Sequence, residues 1–332
     1  MQPLFQSVVF ESKNLRIMKQ LKLTAAFVLA LIASTTFAQK KIEREFSGIE
    51  DIKLTTASGD CFVKKSNDSS VKLTLEYTYD EDDYEPIIEQ DGSKLMLKED
   101  FKSRSVSGKV TWTLHVPDNI NFKLNSGSGD LSIADVMIEI DMNTGSGDLE
   151  VSSVKGEVDA NTGSGDIKMS NFDGSFKGNT GSGNVKVNGG KGEVKVNCGS
   201  GEISMSDVSG LIAANVGSGD IDVTNITVTD KSYFNSGSGD VRLELAASPV
   251  ANLSVNSGSG DAIIDFNGNA FVGTVVMKAD KRKGEIKAPI KFDKEEEIKE
   301  GNQTYIKKTV KLSDADIKIN IGTGSGTAGL KE

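Results

Sequence analysis

The sequence predicts an all-β fold: a parallel β-solenoid (β-helix) of about 18-residue, two-strand coils, with antiparallel β elaboration at its N-terminal end. Two observations predict it. The phrase Asn-Thr-Gly-Ser-Gly-Asp occurs at Asn143–Asp148 and Asn161–Asp166, with near-copies at 125–130, 179–184, 197–202, 215–220, 235–240 and 256–261. The copies also keep a fixed interval: the leading glycines from Gly127 to Gly217 stand 18 residues apart, and steps of 20 and 21 follow to Gly237 and Gly258. A short fixed period marks a repeat architecture, in which a unit too small to bury its own apolar face buries it against the next. Antiparallel meanders demand no such period.

One unit shows how a coil is made. Gly145-Ser146-Gly147-Asp148 is turn chemistry, because glycine reaches backbone conformations that a Cβ forbids. Leu149-Glu150-Val151 alternates apolar and polar, as a short strand does. Ser152-Ser153 makes a second turn, and Val154, Val158 and Ala160 then alternate with Lys155, Glu157, Asp159 and Asn161 as a second strand, with Gly156 at its near end. Stacking the coils aligns Leu131, Leu149, Ile167, Val185, Ile203 and Ile221 in one apolar column, and Ile140, Val158, Phe176, Val194 and Ile212 in another. Ser132, Glu150, Lys168, Lys186, Ser204 and Asp222 fall between apolar columns and face water. At a strand spacing of about 4.8 Å, roughly ten coils would extend about 45–50 Å.

Two polar columns are expected to be structural ladders. An asparagine stands two residues before every leading glycine, from Asn125 to Asn256, and a serine stands between the glycines of every copy. Stacked side chains of this kind can bond their neighbours above and below.

The flanks depart from the period. Residues 1–17 read as an upstream extension and Met18 as the true start. Residues 18–38 read as a secretory signal peptide: basic Met18–Lys22, apolar Leu23–Ala33, and the small-residue cleavage pattern Thr36-Phe37-Ala38. The run is too short for a membrane span and no second long apolar run follows, so the mature chain carries no transmembrane segment. Residues 39–120 form an N-terminal β region and first coil, in which 71–116 is an antiparallel elaboration covering the open first edge. Residues 121–266 are the regular repeats of 18 to 21 residues, and 267–332 are irregular coils and a cap, with Gly324-Ser325-Gly326-Thr327 as the closing coil. The charge-dense runs 278–287 and 291–299 read as solvated faces or edge protection.

Cleavage after Ala38 leaves 294 residues and shifts the net charge from −10 to −13. An acidic exported chain is unsuited to nucleic acid or anionic membrane surfaces. Cys61 and Cys198 fall about five coils apart in the register, roughly 24 Å, beyond the reach of about 7 Å of a disulfide. Both read as small buried hydrophobes.

The tandem Gly-Ser-Gly-Asp turns, the strand Val110–Pro117 (Val-Thr-Trp-Thr-Leu-His-Val-Pro) and the exported context resemble the bacterial putative-adhesin family of β-strand-repeat proteins, a domain of unknown function. The resemblance spans nearly all of 40–330 and is most specific over 121–266. It implies adhesion at a surface and brings no catalytic residues.

Enzyme chemistry is not expected, and neither are catalytic residues or cofactors. His115 is the sole histidine, and the repeated serines have no base at a fixed spacing. No helix follows the glycines, which removes a dinucleotide fingerprint, and one histidine with two distant cysteines does not make a zinc site. The column Asp130, Asp148, Asp166, Glu202, Asp220, Asp240 and Asp261 is a candidate cation site, because nine-residue half-coils resemble a calcium-binding β-roll. The aspartate directly follows the glycine, however, and Asn184 and Glu202 interrupt the column. Glycan processing would require carboxylates and aromatics clustered on one face, and ice binding would require outward threonine pairs; Thr144, Thr162 and Thr180 point inward. The expected function is therefore a non-enzymatic exported protein of the cell envelope, periplasmic or at the surface, with an adhesive or structural role and a protein or glycan ligand. The alternatives are a carbohydrate-binding or carbohydrate-modifying β-helix and a calcium-binding β-roll.

Overall fold

In the computed structural model, which describes residues 39–103 and 106–332, all regular structure is β: 26 strands join in one hydrogen-bonded sheet system. The signal peptide and the upstream extension expected from the sequence lie outside the described residues. The strands fall into two ladders, one of strands that lead into the Gly-Ser-Gly-Asp turn and one of strands that leave it. In the first, Ile120–Ser126, Met137–Thr144 and Lys155–Thr162 run parallel, with Ile140 beside Phe122 and Val158. In the second, Leu131–Ala134, Leu149–Ser152 and the start of Ile167–Thr180 run parallel, with Leu149 beside Leu131 and Ile167. Through the middle of the chain each residue pairs with the one 18 positions on, as Lys168 does with Lys186 and Val194 with Ile212.

The bend between the ladders in each layer has a specific backbone requirement. Asp135, Ser153, Asn171, Asp207 and Asn225 have φ between 53° and 61°, and Gly189 has 71°. Aspartate, asparagine and glycine tolerate this left-handed region better than other residues, and they fill this column except at Ser153.

Both ends are built differently from the expectation. The span 71–116 is not wholly antiparallel. Lys94–Phe101 and Val110–Val116 run parallel to Asp51–Thr56 and Asp60–Lys65 and form a further layer outside them. Val71–Tyr77 and Tyr84–Asp91 alone are antiparallel, to Val110–Val116 and Lys94–Phe101 respectively. The first coil in sequence is thus interior, because Asp51–Thr56 also pairs with Ile120–Ser126 on its other side. The far end repeats the device. Lys318–Thr323 and Thr327–Lys331, read from sequence as a closing coil, lie between 253–265 and 274–287. The outermost strands there are the antiparallel pair Gln303–Lys311 and Lys294–Glu300. Lys294–Glu300 reads Lys-Glu-Glu-Glu-Ile-Lys-Glu, and a charged edge discourages pairing with other chains.

The apolar columns face each other between the ladders and form one buried cluster. Its volume is balanced locally. Phe172 replaces the valine of its column (Val154 and Val208 stand in the same place), and Gly190 in the next layer makes room: a Cβ there would lie 2.3 Å from the Phe172 ring. Phe176 is accommodated in the same way by Gly178.

Candidate functional site

The Gly-Ser-Gly-Asp edge carries three side-chain ladders. Asn143, Asn161, Asn179, Asn197, Asn215, Asn235 and Asn256 each donate an amide N–H to the asparagine oxygen of the layer before, at 2.8–3.5 Å. The second ladder was not foreseen as polar. Thr162 Oγ1 donates to Gly147 O at 3.1 Å and accepts the Gly165 N–H at 3.0 Å, and Thr180 repeats both bonds. Cys198, expected to be a small hydrophobe, takes the same place with its Sγ, between Gly183 O and Gly201 N–H. It is buried, as is Cys61, and both are free thiols. Burial, with Asp60 adding to it, pushes the Cys61 thiol well above its usual range.

The third ladder is the candidate cation column. Asp130 Oδ1 accepts the backbone N–H of Asp148, Asp148 that of Asp166, and Asp166 that of Asn184, each at 2.8 Å. Asn184 passes the pattern to Glu202, Asp220 serves Asp240, Asp240 serves Asp261, and Asp261 serves Thr327. Each of these side-chain oxygens therefore bonds the next layer rather than its own turn. One oxygen of each aspartate is occupied by a backbone amide, and the carboxylates are spread one to a layer. Among the described residues no three metal-ligating side chains converge. The serine column is different again: Ser146 and Ser182 are exposed, and among the described residues no side-chain bond links one serine to the next.

The hydroxyl ladder needs an end, and Glu99 supplies it. This carboxylate is 7% exposed and accepts Thr56 Oγ1 at 2.6 Å, Ala57 N–H at 2.8 Å and Trp112 Nε1 at 3.0 Å. For Thr162, Thr180, Ser236, Ser257 and Thr323 a glycine carbonyl of the layer before receives the hydroxyl; the layer outside Thr56 has no Gly-Ser-Gly turn, and Glu99 stands in for the carbonyl. Sequence reasoning missed Glu99 because its strand carries no repeat motif.

His115 faces outward on its strand, between Lys64 and Lys72 in register. A groove of about 620 Å³ lies on the outward face of the first ladder, toward its N-terminal end. Two columns of side chains cross it in register. One runs Glu89, Met96, Lys53, Lys123, Asp141, Asp159, and the other Asp91, Lys94, Asp51, Asn121, Glu139, Glu157. Lys123 pairs with Asp141 at 2.6 Å, and Lys177 beyond the groove pairs with Glu157 and Asp159. Met96 is 44% exposed on the groove floor. The groove thus offers side chains of both charges beside one exposed methionine.

Fold and surfaces together define an all-β strand-repeat protein whose repeated asparagines and aspartates are engaged in holding layers together. The family model described as Toastrack DUF4097 matches residues 49–188 and 173–296, and the chain belongs to this family. Among solved structures, similarity is found to a putative cell adhesion protein from Clostridium sporogenes (16% identity, 88% of this chain and 99% of that one, TM-score 0.21). It is found also to a putative lipid binding protein from Parabacteroides distasonis (16%, 87% and 96%, TM-score 0.39) and a putative adhesin from Bacteroides fragilis (14%, 88% and 97%, TM-score 0.32). No curated protein matches.

Proposed function

We propose that this chain is an exported, non-enzymatic β-solenoid of about 18-residue, two-strand coils that acts at the bacterial cell envelope by binding a protein or glycan through its outward face. One observation carries the reading. The asparagine and aspartate columns are engaged in layer-to-layer bonds, whereas in the two groove columns no residue type runs through more than two successive layers. Strict repetition serves the scaffold, and the non-repeating concave face is what differs from a bare ladder. The basic, apolar, small-residue order of 18–38 supports export, and N-terminal sequencing of the exported chain should begin at Gln39. The adhesion reading is tested by comparing attachment of producing and deletion strains to host-derived and abiotic surfaces, with complementation by a chain carrying Met96→Glu and Lys53→Glu. Attachment should fall in the deletion and stay low with the groove variant. Equal attachment of all strains would refute it.

A further inference from the structure

The last strands of the chain fill a slot. Lys318–Thr323 runs parallel between Leu253–Ser257 and Thr274–Asp280, and Thr327–Lys331 runs parallel between Ala262–Asp265 and Glu285–Lys287. Ile319, Ile321, Ala328 and Leu330 are buried in the shared core. The segment also continues the ladders of the layer before it: Thr323 Oγ1 donates to Gly260 O at 2.7 Å, and Thr327 N–H donates to Asp261 Oδ1 at 2.7 Å. It is a complete coil inserted between layers that precede it in sequence.

The connection 312–317 ties this coil to Gln303–Lys311, which lies on the far side of Thr274–Asp280. The connection must therefore step over the start of that strand, and it does so around Gly273. Gly273 O accepts the Leu312 N–H at 2.8 Å, Gly273 N–H donates to Ser313 Oγ at 2.7 Å, and Thr274 N–H donates to Ile317 O at 2.8 Å. Gly273 sits at φ 67°, and a Cβ there would lie 2.2 Å from Ile317 O. The chain turns back tightly around a glycine that no other residue can replace without displacing the turn.

We infer that the coil 318–331 is an exchangeable plug, able to seat in the same slot of a second copy of this chain and so to link two molecules. An exchanged coil makes the same ladder bonds and buries the same side chains in the partner as in its own chain. Only the connection and the protein concentration then decide between the closed and the linked form. A short connection that must cross the start of Thr274–Asp280 to reach its own slot is freed of that crossing when the coil leaves for a partner, which is the hinge geometry that favours exchange. The slot, flanked by two strand edges, accepts an added strand, and this chain's own coil is the segment that fits its columns. The inference stands on topology and is independent of the binding role proposed above.

The test uses full chains carrying Ser254→Cys and full chains carrying Asn320→Cys, positions that face each other in register between the slot and the coil. Equal amounts are refolded together from guanidinium at low and high protein concentration, oxidised, and run on a non-reducing gel. A disulfide joins the two kinds of chain only if the coil of one sits in the slot of the other. The expected result is a linked dimer whose share rises with concentration, and rises further when residues 313–316 are deleted from both chains. Absence of the linked dimer at every concentration, with and without the deletion, would overturn the inference, and so would loss of the dimer on deletion.

Discussion

Glu202 is the residue at which the amide ladder breaks. Asp and Asn along the column place a side-chain oxygen on the next layer's N–H, whereas among the described residues no such bond joins Glu202, one methylene longer, to Asp220. Glu202→Asp should complete the ladder and add about 1 kcal/mol, the net worth of a hydrogen bond. Urea denaturation measures it, and a loss of stability would contradict the account. Asp166→Asn keeps the accepting oxygen, as Asn184 does naturally, and should cost about 1 kcal/mol or less. The same pair bears on the cation reading. A bound calcium would add about 2.7 kcal/mol at a hundredfold excess over Kd, whereas a ladder held by amides should melt within a few degrees of the same temperature with calcium or with chelator.

At the scale of the strand, alternation decides which substitutions matter. Val158 is buried in its column, and Glu157 beside it is exposed and paired with Lys177 at 3.1 Å. Val158→Asp puts an unpaired charge into the core and should cost several kcal/mol. Glu157→Lys gives up one exposed ion pair and should cost about 0.5 kcal/mol. Comparable losses measured by thermal melting would mean that the inward and outward faces are assigned wrongly. The strand is also where the sequence was most legible. Leu149, Val151 and Val158 announce their direction by alternation, and the period repeats the message coil after coil. The compensation of Phe172 by Gly190 was not legible, because it lies between residues 18 apart and shows only once the layers are in register.

At the scale of the whole molecule, the order of layers was the part sequence reasoning could not reach. Coils pair with their sequence neighbours through 120–265, where the period holds. At both ends a strand pair intercalates between layers, and no local pattern at Asp51 or Lys318 records which edges it will meet. Glu99 was hidden for the same reason: its role follows from standing beside Thr56, 43 residues away. The ends also carry a pH dependence. The Lys65 ammonium, then the Met137 N–H, holds the Asp118 carboxyl below its ordinary 3.8, and Lys72 with Ser70 does the same for Asp68. A carboxylate with a depressed folded value stabilises the fold above its ordinary value, and that contribution is lost as pH falls through the folded value. The melting temperature should therefore drop as pH goes from about 4 toward 2, and the drop should be smaller for Asp118→Asn, whose neutral side chain no longer titrates.

The central claim is the parallel register that sets each residue beside the one 18 positions on. Lys168 and Lys186 face outward on adjacent strands in that register, with Glu150 one layer before Lys168. Adjacent parallel strands lie about 4.8 Å apart, within the span of a disulfide, and strands two apart lie beyond it at about 9.6 Å. Cys61 and Cys198 are buried and leave the surface free for the measurement. Under mild oxidation of the dilute protein, Lys168→Cys with Lys186→Cys should form an intrachain disulfide nearly quantitatively, and Glu150→Cys with Lys186→Cys should stay reduced. Linkage of the second pair in preference to the first, or equal linkage of both, would contradict the register and with it the layered fold.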